Sequence, residues 1–132
     1  MLFVALLGGF GALMWWGHQD RKRRRAAATT VELVVDDWGV RRRLADGRHE
    51  EVAWSELVEV RAVVLPRGPW GDRIRFVLDG GGERGCIVPS SPAESAGLFP
   101  ALARLRGFDH AALNAVLDGQ RSGSTQLWSR RG

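Results

Sequence analysis

Residues 31–65 read VELVVDDWGVRRRLADGRHEEVAWSELVEVRAVVL, and this stretch decides the fold. Val31, Leu33 and Val35 fall on one side of an extended chain, which predicts a strand with one buried face. Asp36, Asp37 and Gly39 mark a turn. Val40–Leu44 is a second strand, and Asp46-Gly47 is a hairpin signal that calls for positive φ at both central positions. Arg48–Trp54 returns as a third strand. After Ser55, the alternation of Val58, Val60, Ala62 and Val64 with charged and aliphatic neighbours predicts a long fourth.

The pattern continues beyond a Pro- and Gly-rich loop at 66–72. Ile74, Phe76 and Leu78 alternate with Arg73, Arg75 and Val77 in a fifth strand. Gly80-Gly81-Gly82 turns the chain into a sixth, Glu83–Val88. The period then changes. Ser91-Pro92-Ala93-Glu94 has the form of a capping box, and Leu98, Phe99, Leu102 and Leu105 follow at helical spacing up to Gly107. Asp109 is positioned to cap a second, shorter helix with Leu113, Val116 and Leu117 on its apolar face. Gln126–Ser129 is a candidate for a last short strand.

In front of this domain the chain has a different character. Leu2–Gly17 (LFVALLGGFGALMWWG) is uncharged and apolar, and Arg21, Lys22, Arg23, Arg24 and Arg25 follow it. Apolar first and basic second predicts a transmembrane anchor over residues 1–20 that leaves the rest of the chain in the cytoplasm. Trp15 and Trp16 take the interfacial positions, and residues 21–30 form a basic juxtamembrane linker. Sixteen residues give a helix of roughly 24 Å, short for a hydrocarbon core of about 30 Å. A cleaved signal peptide and a buried core helix are the competing readings. A signal peptide places its charge before the apolar run, whereas here no basic residue precedes it. Gly8 and Ala12 could allow self-association of the segment.

The charge follows the same division. The chain has 19 basic and 15 acidic residues, a net of +4. Residues 29–132 are balanced, so the excess belongs to the N-terminal flank. A nucleic-acid-binding domain carries its excess on the folded domain, which argues against that class.

The strand pair, the Trp54-Ser55-Glu56-Leu57 step into Val58 and Val60, and the closing helix at 92–105 resemble small bacterial pleckstrin-homology-like (PH-like) domains. Gly85-Cys86-Ile87-Val88-Pro89 and Gly107-Phe108-Asp109 resemble segments of uncharacterised actinobacterial membrane proteins. The resemblance implies an α+β fold over residues 31–129, followed by a tail at 130–132. Its expected form is a small antiparallel β-sandwich or partial barrel closed by one or two C-terminal helices. It implies a fold used to bind lipids, peptides or proteins, and fold alone does not assign function.

The residues give no catalytic set. His18, His49 and His110 have no metal-ligand spacing, and a lone Cys86 on an apolar strand reads as a buried thiol. No enzyme activity, cofactor or metal is therefore expected. Two surfaces are candidate partner sites: Arg41 and Arg43 beside the first hairpin, and Trp70 in the 66–72 loop. In PH-like domains basic residues near that hairpin hold anionic headgroups, but Asp46, Glu50 and Glu51 can instead pair with the arginines. The expected role is a non-enzymatic binding or adaptor domain at the inner membrane face. An anionic-lipid sensor and a structural subunit of a membrane complex are the alternatives.

Overall fold

The computed structural model describes residues 30–65 and 73–131. Among the described residues there are seven strands: β1 (Thr30–Val35), β2 (Gly39–Leu44), β3 (His49–Ala53), β4 (Glu59–Val64), β5 (Ile74–Asp79), β6 (Gly85–Pro89) and β7 (Gly123–Ser129). Three short helices lie between β6 and β7: α1 (Ser90–Ala96), α2 (Leu98–Ala103) and α3 (His110–Leu117). All strand pairs are antiparallel, in the order β1-β2-β3-β6-β5-β4-β7.

This order corrects the expected β-sandwich or partial barrel of PH-like type. The β1–β2–β3 meander and the β4–β5–β6 meander are not two separate sheets. They join edge to edge through β3 and β6, at the single register pair Glu51↔Gly85, and β7 adds outside β4. The result is one open seven-stranded sheet. The expected transmembrane helix is corrected as well. Among the described residues no helix is long and apolar enough to cross a membrane. The longest has eight residues, about 12 Å against the roughly 30 Å of a hydrocarbon core. Residues 1–20, on which the membrane and single-pass expectation rested, lie outside the described residues, as does the linker at 21–29.

Alternation along each strand sets the faces. Val40, Val52, Val60, Ala62, Phe76, Leu78, Cys86 and Val88 form one face and pack with Ala93, Leu98, Leu102, Leu113 and Val116 of the helices. Phe76 meets Phe99 of α2 edge to face at 5.2 Å between ring centroids. Burying each of the larger side chains contributes about 1.5–3 kcal/mol. A second, smaller cluster of Val63, Val77 and Ile87, with Leu65 against it, lies on the opposite face.

Local signals explain the element ends, with three departures from expectation. Asp109 caps α3 by accepting from the Ala112 N–H at 2.9 Å, as its position suggested. The single helix expected over 92–105 is two, because Gly97 takes a left-handed φ of 80° and ends α1 as α2 begins. The Ser91 capping box does not form: α1 starts at Ser90, its N-cap is Pro89, and no side chain caps it. The β2–β3 turn needs positive φ only at Gly47. Leu44 and Arg48 close a three-residue loop, with Leu44 N–H donating to Arg48 O at 2.9 Å. Such loops carry a left-handed glycine in their last position.

Where β3 and β6 diverge, side chains replace the missing ladder. Arg42 and Glu50 have almost no exposed side-chain surface and pair at 3.1 Å. The Ile87 N–H donates to Glu50 Oε1 at 2.9 Å, and Arg42 Nη1 donates to Ile87 O at 2.6 Å. Arg42 Nε also donates to Thr30 Oγ1 at 2.9 Å. One ion pair thus satisfies both backbone groups of Ile87 and ties β1, β2, β3 and β6 together.

Candidate functional site at the β1–β2 edge

The first hairpin was the expected partner surface, and the structure shows what surrounds it. Asp36 ends β1 and organises the turn: its Oδ1 accepts from the N–H groups of Trp38 at 3.0 Å and Gly39 at 3.2 Å. Its Oδ2 accepts from Arg41 Nη1 at 3.2 Å. The Gly39 N–H is the main cause of an Asp36 carboxyl held below the usual aspartate range, with Trp38 N–H and Arg41 adding to it. Trp54, in the turn just after β3, braces the same turn by donating its indole N–H to Asp36 O at 2.8 Å.

Arg41 and Arg43 point away from the core, as alternation requires, while Arg42 points inward. Arg41 is held between Asp36 and Glu51, and its guanidinium lies 4.3 Å from the centre of the Trp38 ring. Arg43 pairs with Glu32 at 3.5 Å. Both candidate arginines therefore face carboxylates on neighbouring strands. These pairs are roughly half exposed, and such pairs contribute about 0–1 kcal/mol each. Their effect here is on charge: the hairpin presents mixed signs.

Apolar exposure, which the sequence reading did not single out, is concentrated beside them. Val31, Val34, Trp38 and Leu117 are the exposed large hydrophobics among the described residues, and the first three belong to the β1–β2 edge. Val34 stands opposite Arg41 in the ladder, so the valine, the arginine and the Trp38 ring form one surface. β1 is an edge strand in the sheet order. Edge strands are commonly blunted by charge or covered by a helix; TVELVV carries only Glu32, and α1 packs against β1. One signal for this surface was available in the sequence. Trp38 sits in an Asp-Asp-Trp-Gly turn, where a large ring has little chance of reaching a core.

The remaining expected site residues are placed as follows. Trp70, Trp15, Trp16, Arg21, Lys22, Arg23, Arg24 and Arg25 lie outside the described residues. Cys86 is fully buried in the core, and His49 and His110 are exposed on separate elements. Among the described residues no group of histidine, cysteine or acidic side chains could hold a metal ion. The chain matches no family model, no curated protein and no solved structure.

Proposed function

We propose that residues 30–131 are a non-enzymatic binding domain that takes an extended segment of a partner protein along β1. The observation that carries this reading is the coincidence of an edge strand with exposed Val31 and Val34 and the exposed Trp38 ring. Strand addition supplies main-chain hydrogen bonds, and alternate side chains of the added segment meet the surface beside them. Here that surface is Val34, Trp38 and the stem of Arg41. The carboxylates around Arg41 and Arg43 favour a polypeptide over an anionic headgroup, which would have to displace Asp36, Glu51 and Glu32.

The test is selection of binders from a displayed random-peptide library on the full chain in neutral detergent, with the site mapped by amide chemical shifts. Peptides with alternating apolar residues that shift Thr30–Gly39 are expected. Val34→Glu, whose carboxylate would face Arg41 and so leave the ladder intact, should abolish their binding. Selected peptides that map elsewhere would overturn the proposal. So would anionic vesicles that bind at Arg41 and Arg43 while no peptide is enriched.

A further inference from the structure

At the other end of the strand order from β1, a cavity of about 470 Å³ opens beside the start of β5. Its walls come from five places: the end of β4, the start of β5, the first residue of α1, the end of α3, and the turn that leads from α3 to β7. This volume lies in the range of small-molecule sites.

The lining has two chemistries. Val64, Ile74, Val116 and Leu117 provide an apolar wall, and Leu117 is 42% exposed although its helix packs on the core. Arg73, Arg121, Ser90, Ser122 and Gln120 provide the polar part, and among the described residues no acidic side chain lines the cavity. Elsewhere on the sheet, Arg41, Arg42, Arg43, Arg48, Arg61 and Arg84 are each held by a carboxylate. Among the described residues Arg73 has only a long hydrogen bond, 3.4 Å, to the Leu65 carbonyl. Arg121 has no ion pair or hydrogen bond among the described residues. Arg73 and Arg121 thus bring two positive charges to one cavity whose described lining holds no carboxylate.

We propose that this cavity binds a small organic anion, a carboxylate or phosphate monoester that carries an apolar arm. Arg73 and Arg121 take the charged group, for which planar guanidinium groups are well matched. The Ser90 and Ser122 hydroxyls and the Gln120 amide supply further donors. The arm lies along Val64, Ile74, Val116 and Leu117 and covers the exposed leucine. A soluble metabolite and a membrane lipid present the same chemistry, and the experiment separates them.

The full chain is titrated with octyl phosphate, octanoate, octanol and inorganic phosphate, with amide chemical shifts as the readout. Octyl phosphate is expected to shift residues 73–74, 90 and 116–122. Arg121→Gln and Arg73→Gln should each weaken it at least tenfold. Leu117→Ser should weaken octyl phosphate and leave inorganic phosphate unchanged. The cation variants sit at exposed positions, and an unchanged spectrum outside the cavity verifies their fold. Binding of octanol as tight as that of octyl phosphate would overturn the anion site. Shifts confined to other residues would overturn the location, and inorganic phosphate binding as tightly as octyl phosphate would overturn the apolar arm. Phosphatidic acid vesicles, which present a phosphate monoester, and phosphatidylcholine vesicles then assign the source. Shifts at the same residues with the anionic vesicles alone indicate a lipid, and shifts with octyl phosphate but with neither vesicle indicate a soluble ligand.

Discussion

Replacing Arg42 with methionine should destabilise the domain by about 3–5 kcal/mol, the cost of leaving one member of a buried ion pair without the other. The structure supplies the reason. The guanidinium is fully buried, it faces Glu50 at 3.1 Å, and it donates to Ile87 O at 2.6 Å. Methionine fills much of the volume but leaves the Glu50 carboxylate in the interior and the Ile87 carbonyl without that donor. For a domain of this size, 1 kcal/mol corresponds to roughly 4–8 °C in Tm, so a drop of at least about 12 °C is expected. Arg43→Met is the control: it lies on the same strand, is half exposed and pairs with Glu32. Its effect should stay within about 0.5 kcal/mol. The double variant Arg42→Met/Glu50→Leu should recover part of the loss, because no buried charge is left unpaired. Full recovery is not expected, since Ile87 N–H and C=O would both lose partners. Urea unfolding followed by circular dichroism at neutral pH measures all four proteins. An Arg42→Met effect equal to that of Arg43→Met would refute the claim that this pair bridges the two meanders.

Three further outcomes follow from the local geometry. A Cβ at Gly39 would overlap the Val52 carbonyl across the β2–β3 ladder, so Gly39→Ala should destabilise by about 1–3 kcal/mol in the same assay. Asp109→Ala removes the cap of α3 and should cost about 1 kcal/mol, read as a lower Tm. Asp79 is buried opposite Glu59 in the β4–β5 ladder, and burial, then the Glu59 charge, push its carboxyl above the usual aspartate range, against the Gly81 N–H, which lowers it. The folded chain therefore holds that proton at pH values where the unfolded chain has lost it, and stability falls as pH rises through the window. Asp79→Asn keeps an acceptor for Gly81 and should raise Tm at pH 7, with the gain fading as pH falls toward the ordinary aspartate value of about 3.9. A gain that grows on acidification would contradict the assignment.

Much of the domain was legible from alternation and punctuation. All seven strands coincide with apolar–polar alternation or a suggested strand, although β7 begins earlier than Gln126. Asp109 marks a real boundary, whereas α2 ends at Ala103 with Arg104 as its C-cap, ahead of the glycine at 107 that was expected to stop it. The inward turn of Arg42 between Arg41 and Arg43 also follows from the period of two. What alternation does not encode is which strands become neighbours. The β3–β6 junction depends on Gly85 meeting Glu51 and on Arg42 reaching a carbonyl 45 residues away, and neither contact leaves a local trace. Arg42 and Glu50 look like surface charges for the same reason: their burial is a property of the junction. The break at Gly97 was hidden by the helical spacing on both sides of it. The edge surface was half visible, since Trp38 stands in a polar turn and Val34 alternates with Leu33 and Val35, whereas Val31, expected on the buried side with them, is exposed where the β1–β2 register shifts between Thr30 and Glu32.

The binding role of β1 is tested most directly by site-specific photo-crosslinking in living cells. A photoreactive phenylalanine analogue is placed at Val34 in the full chain, and at exposed Ser124 on the opposite edge strand as the control. The account predicts one discrete adduct from position 34, none from position 124, and loss of the adduct when Val31→Lys is added. Equal crosslinking from both positions, or an adduct unaffected by the charge at residue 31, would contradict it.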